Sequence, residues 1–239
     1  MDNSYCKEVR LKQGGIMKKF KKQLLPTVCI LLSLIAILAG SFVMLRVRTG
    51  DILDDYKGIF SDEKYAEPVY VDGVDVVKQN YSCGYASMEM FSEWAGADVT
   101  EAGLYEQYGR TVTATGDGFC KEMNKQFPEY KTTIHKYMKN SRLIDTAYDS
   151  LSAGYPVPFE WAAKCGDEWT LHYSLIVGMD IPGDKITVAN PYGYTEEISV
   201  DEFLSRTSFE AFDDMPWFIE MGFAVGLFEK NTIFTVEKV

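Results

Sequence analysis

KQNYSCGYASMEMFSEWAG, Lys78 to Gly96, is the stretch from which the chain is best read. A turn-prone run, Asn80-Tyr81-Ser82, leads into Cys83 and Gly84. A helix pattern follows, with Ala86, Met90, Phe91 and Trp94 near one face. The pattern predicts a thiol at the first turn of a partly buried helix, where unpaired backbone N–H groups and the positive end of the helix dipole favour thiolate. A lone cysteine is more often a small buried core residue. The remainder of the chain decides between the two readings.

The 239 residues suffice for one globular domain plus an appendage. Of 24 basic and 35 acidic residues, seven and two fall before residue 46, so the remainder carries about sixteen excess negative charges. Such a surface repels nucleic acid, whose binding rests on neutralising phosphates.

From Leu24 to Leu45 no residue is charged, and the run is rich in Leu, Ile and Val. It is long enough to cross a hydrocarbon core of roughly 30 Å. Lys18, Lys19, Lys21 and Lys22 precede it, which predicts a cytoplasmic N-terminus and an extracytoplasmic domain. Phe42 to Leu45 carry the apolar run past Ala39-Gly40-Ser41 and so favour an uncleaved anchor. The competing reading is a secretory signal cleaved at those small residues. Gln13-Gly14-Gly15-Ile16 ahead of Met17 reads like the translation of a ribosome-binding site, so translation is expected to begin at Met17, with 1–16 a gene-calling artefact. The organisation expected is a basic N-terminus over 1–23, an anchor or signal over 24–45, an acidic juxtamembrane connector over 46–68 with a short helix near Ile52 to Phe60, and a domain over 69–239.

The domain reads as α+β, with helices early and strands late. A hairpin is expected over Val69 to Val77, turning at Asp72-Gly73. The helix carrying Cys83 follows, then helices from Thr100-Glu101 and Asp117-Gly118, a strand over Lys131 to Met138 and an amphipathic helix over Ser141 to Ala153. Tyr155 to Trp161, Trp169 to Met179, Lys185 to Ala189 and Thr195 to Val200 alternate as strands of an antiparallel sheet. Closing helices over Asp201 to Ser205 and Met215 to Phe228 and a strand over Thr232 to Glu237 complete it.

His172 and Asn190 sit in that second half. Alternation puts His172, Ser174, Ile176 and Gly178 on one face of their strand. A hairpin turning through Met179 to Asp184 sets residue 172 opposite 190. A thiol at a helix start and an imidazole oriented by a carboxamide form a Cys-His-Asn constellation, in which the amide sets the tautomer and the imidazole takes the proton. Taken singly, His172 reads as a satisfied strand histidine and Asn190 as a turn residue. Their joint placement with Cys83 carries the functional reading.

KQNYSCGYASMEM, SAGYPVPFEW and HYSLIVGMD with ITVANPYGY together resemble the papain-like cysteine peptidases of family 39, which cut double-glycine leader peptides, and more closely the stand-alone family-39-like branch. The resemblance spans about Val69 to Phe203. It implies a papain-like fold, a peptide or protein substrate and no cofactor. It also implies Cys83 as nucleophile, His172 as base then acid, Asn190 as the orienting residue, and Gln79 as an oxyanion-hole donor beside the Cys83 backbone N–H. Gln79 stands closer to the cysteine than in much of the family, which leaves Asn80 as an alternative donor. Tyr85 takes the place of a frequent proline. The family's exporter role is not expected to carry over.

The expected function is a membrane-tethered extracytoplasmic cysteine peptidase. The alternative is a catalytically silent peptide-binding or surface interaction module on the same fold. Cys120 and Cys165 are expected as buried free thiols, while Cys6 and Cys29 lie outside the domain. His135 is expected to be structural. The Cys and His spacings match no zinc site, and the aromatics between Phe209 and Phe228 read as core or groove wall.

Overall fold

An antiparallel sheet with helices on both faces organises residues 47–239, which form one of two compact units in the computed structural model. The structure describes residues 26–43, 52–109 and 113–239. In the other unit, helix α1 over Pro26–Val43 has a mean hydropathy of 2.3 and is long and apolar enough to cross a membrane. The proposed Met17 start and the basic residues before it lie outside the described residues.

The strands run β1 (Val69–Tyr70), β2 (Tyr130–His135), β3 (Val157–Cys165), β4 (Glu168–Asp180), β5 (Lys185–Asn190), β6 (Tyr194–Ile198) and β7 (Thr232–Lys238). Their order is β2-β7-β3-β4-β5-β6, all antiparallel. β3 pairs with β4 only as far as Ile176, and β1 takes the edge beyond it at Gly178 and Met179. Residues 71–82 form no second strand, so the hairpin expected over Val69 to Val77 is replaced by an irregular approach to Cys83.

The helices are α2 (Cys83–Ala95), α3 (Glu101–Tyr108), α4 (Gly116–Gln126), α5 (Asn140–Ser152), α6 (Val200–Thr207) and α7 (Trp217–Val225). Gly96 ends α2 at φ 68, a left-handed conformation in which a Cβ is unfavourable. Thr100 and Thr115 accept N-cap bonds from Gly103 and Gly118 at the starts of α3 and α4. On one face of the sheet α2 and α4 bury Tyr85, Phe91, Phe119 and Met123 against Tyr173 and Leu175. On the other, α5 and α6 bury Leu143, Ile144 and Phe203 against Phe159, Trp161 and Ile176. Alternation along β4 thus feeds two cores.

The 46–68 stretch, read above as a connector, packs against α5 through its described residues. Ile52, Ile59 and Tyr65 are buried. The carboxylate of Asp54 accepts from the Ser141 backbone N–H at the start of α5, and the Tyr65 hydroxyl donates to Asp145.

The β4–β5 register differs from the expectation. The ladder runs Asp180↔Lys185, Met179↔Ile186 and Gly178↔Thr187, slips across a bulge at Val177, and resumes at Ile176↔Val188 and Leu175↔Ala189. His172 and Asn190 are therefore not directly opposed. The turn is tighter than the sequence pattern placed it, and the bulge absorbs one residue. Both residues stand beyond the last paired rung, His172 three positions past Leu175 and Asn190 one past Ala189. They meet along a diagonal, which longer side chains can span.

Candidate active site

Cys83 is the first residue of α2, and its placement is set by a buried carboxylate. Glu101, 2% exposed, accepts the backbone N–H groups of Asn80, Tyr81 and Ser82. Three consecutive donors on one carboxylate lock the approach to the helix, since a buried acceptor of this kind is costly to leave unpaired. Gly84 then allows close packing: a Cβ there would lie 2.6 Å from Thr113 Cβ. The Ser82 hydroxyl, 3.1 Å from that of Thr113, closes the same contact.

His172 and Asn190 are 3% and 0% exposed, with His172 Nε2 3.0 Å from Asn190 Oδ1. The orientation of the amide follows from its other partners. The Tyr192 backbone N–H, which can only donate, is 3.0 Å from Oδ1, and a Glu196 carboxylate oxygen accepts from Nδ2 at 3.0 Å. Oδ1 therefore faces the imidazole as an acceptor, and Nε2 must carry the proton. That leaves Nδ1 unprotonated and able to accept one. Arg206 holds the other oxygen of Glu196 at 2.7 Å while its guanidinium lies over the Trp161 ring. The ring of Tyr192 stacks on the imidazole, centroids 4.1 Å apart.

Cys83 and His172 line one cavity of about 170 Å³, together with Leu171, Phe209, Glu160 and Glu229. Burial pushes the Cys83 thiol up to about 11, opposed by smaller contributions from the Tyr173, Gly84 and Cys83 backbone N–H groups. Burial likewise pulls His172 down to about 4, opposed by its bond to Asn190. The expected bias toward thiolate is thus overturned: the helix N-terminus does favour the anion, but desolvation outweighs it. At neutral pH the two groups rest as thiol and neutral imidazole.

Gln79 does not line the Cys83 cavity. It borders a separate one of about 380 Å³ with Lys78, Lys164, Tyr192 and Tyr194. Its backbone N–H donates to Pro191 at 2.7 Å, and its Oε1 is buried without a hydrogen bond. The Asn80 side chain donates to the Lys78 carbonyl at 3.4 Å. Cys165 is exposed rather than buried, and Cys120 is half-buried with its thiol toward the Thr132 carbonyl. His135 bonds Thr235 across the sheet, away from the cavity. Among the described residues no group of His, Cys, Asp and Glu is placed to hold a metal ion.

Residues 71–217 match the model of the Peptidase_C39 like family. The chain belongs to that family. The match covers both halves of the site, from the approach to Cys83 through the sheet carrying His172 and Asn190. Among solved structures, the chain is similar to a double glycine motif protease from an AMS/PCAT transporter in complex with the leader peptide, at 12% identity and a TM-score of 0.45, covering 72% of this chain and 99% of that one. A comparison with curated proteins finds no match.

Glu101, Glu196, Arg206, Tyr192, Glu160 and Glu229 were not singled out as site residues by sequence reasoning. Tyr192 and Glu196 had a legible signal, because they sit two and six residues after Asn190 across a tight Asn-Pro turn. Glu101, Glu160 and Glu229 had none, since nothing local marks an acidic residue as buried.

Proposed function

We propose that the protein is a membrane-tethered extracytoplasmic cysteine peptidase acting through Cys83, His172 and Asn190. The observation that carries this reading is the Asn190 amide. Its two partners of fixed polarity turn Oδ1 toward Nε2, which leaves Nδ1 as the base in the cavity that Cys83 also lines. The family supports peptidase-type chemistry.

In this mechanism the Cys83 thiol proton passes to His172 Nδ1 as sulfur bonds the substrate carbonyl carbon. The oxyanion is held by the Cys83 backbone N–H at the start of α2, with Gln79 Nε2 as the second donor once substrate orders it. His172 returns the proton to the leaving amine as the C–N bond breaks. Water, deprotonated by the same nitrogen, then cleaves the thioester and restores the thiol. Because each charge alone is disfavoured by burial, proton transfer and attack are coupled, and the thiolate is generated on substrate rather than stored.

The apolar α1 helix supports tethering, and the lysines before it support an outward-facing domain. A mature chain beginning at Phe42 would refute the tether. The test of the chemistry is the intact mass of the protein after exposure to a peptidyl acyloxymethyl ketone. One adduct on Cys83 is expected in the parent and none in Cys83→Ala, with the rate at least about 10²-fold slower in His172→Ala. Equal rates in parent and His172→Ala overturn the mechanism.

A second reading is a peptide-binding module without turnover, favoured by the position of Gln79 in a cavity other than that of Cys83. It expects peptide binding that survives Cys83→Ala and no adduct in the parent.

A further inference from the structure

The floor of the Cys83 cavity carries carboxylates that the mechanism does not use. Glu160 on β3 and Glu229 just before β7 both line it. Gly116 at the start of α4 makes room for them. A Cβ there would lie 3.4 Å from Glu160 Oε2, 3.6 Å from Glu229 Oε2 and, in collision, 2.9 Å from Ile134 Cδ1. The two carboxylate oxygens thus converge on one region.

Their charge is only partly answered. Lys136, after β2, is held by Glu229 Oε1 and by Asp117, each at 2.7 Å. Among the described residues, one cation is thus shared by Glu229 and Asp117, with Glu160 beside them. A further observation shows a polar atom without a partner. Glu229 is 7% exposed, yet its Oε2 makes no hydrogen bond. Tyr173, 6% exposed and directly across the ladder from Glu160, also lines the cavity, and its hydroxyl faces the Glu160 carboxylate, which leaves the hydroxyl oxygen free to accept. Buried polar atoms in folded proteins are nearly always paired, so an orphaned carboxylate oxygen in the cavity that Cys83 lines marks a place where a ligand completes the set.

We infer that this cavity is a substrate pocket for a primary ammonium on an aliphatic stem, the side chain of a lysine in the peptide substrate. An ammonium has three donors and no acceptor, and Glu160, Glu229 Oε2 and the Tyr173 oxygen supply three acceptors. Leu171, Phe209 and Phe228 supply an apolar wall for the methylenes. The cavity therefore selects a cation at its end and hydrocarbon along its length, where an aromatic wall alone would have selected a plain apolar side chain. Only the placement of this lysine within a cleaved peptide rests on the peptidase reading above.

The test is chosen to separate the two claims. N-acetyl-lysine methylamide and its norleucine counterpart, alike in length and differing in charge, are titrated into the full-length Cys83→Ala protein in detergent and followed by NMR. The lysine compound is expected to bind at least about tenfold tighter, with the difference lost in Glu160→Gln and Glu229→Gln backgrounds. Equal affinity for the two compounds overturns the pocket, and needs no second variant to fold. Peptidyl acyloxymethyl ketones with lysine or norleucine at the first or second residue from the warhead then report on Cys83 in the parent. A lysine preference in binding without any adduct leaves the pocket standing and removes the peptidase reading. Adducts at equal rates, with equal binding, do the reverse.

Discussion

The two sides of the His172 imidazole are built on opposite principles. Toward Asn190, the chain of contacts runs from Arg206 through Glu196 to the amide and on to Nε2, with Tyr192 stacked on the ring. Toward Cys83, in the cavity that both residues line, Glu229 Oε2 is buried without a partner. The paired amide and carboxylate fix one geometry, with Arg206 Nε unpaired at the far end of that side, whereas an unpaired atom in a cavity awaits a ligand. Under the proposed function the difference assigns labour: the first side positions the imidazole, and the second meets substrate.

Breaking the paired side should cost most. Asn190→Ala removes the acceptor that sets the tautomer and is expected to lower kcat by roughly 10²–10⁴-fold, by analogy with other triads whose orienting group is altered. A loss in KM with kcat intact would instead place Asn190 among the substrate contacts.

The same burial makes stability depend on pH. His172 is 3% exposed and its folded-state value, about 4, lies below the ordinary 6.5. The unfolded chain therefore binds its proton more tightly. The stability associated with the neutral imidazole is complete above pH 6.5 and is lost as pH falls toward 4, by about 3 kcal/mol. Glu160 works the other way. Burial raises it from 4.5 to about 7, so stability is greatest with it protonated and declines as pH rises through that window. Denaturant unfolding of parent and His172→Gln between pH 7 and 4 isolates the first effect, and parallel curves would contradict it.

The smallest effect is expected one step further from the ring. Glu196→Gln keeps an acceptor for Asn190 Nδ2 but gives up the charge that holds Arg206. It should lower kcat about tenfold with KM unmoved, since only the positioning of the imidazole is loosened. An unchanged kcat would show that the amide needs no support from Arg206.

Which parts of this were legible in the sequence follows from how local each signal is. Cys83 ahead of an amphipathic helix, and His172 and Asn190 on alternating β segments, are short-range patterns, and the structure brings all three to one region. The helices over Glu101–Tyr108, Gly116–Gln126 and Asn140–Ser152 carry cap and period signals and form within a residue or two of where those fall. The rung on which His172 meets Asn190 was not legible, because a bulge at Val177 leaves no mark in composition. Nor was the resting state of the thiol, since the helix dipole is visible in a sequence and desolvation is not. Glu101 was read as a helix start. Its larger role, clamping three backbone donors ahead of Cys83, depends on a fold that returns α3 to that loop. Residues 52–65 read as a polar connector because their buried members, Ile52, Ile59 and Tyr65, are spaced too widely for a local period.

The central claim is that Asn190 holds His172 with Nε2 protonated and Nδ1 open as the base for Cys83. Nitrogen-15 NMR of the His172 imidazole in the resting protein at neutral pH tests it most directly. A neutral ring with its proton on Nε2, converting to a mixture of tautomers in Asn190→Ala, is the result the account predicts. A proton on Nδ1 in the parent, or a spectrum indifferent to Asn190→Ala, would contradict it.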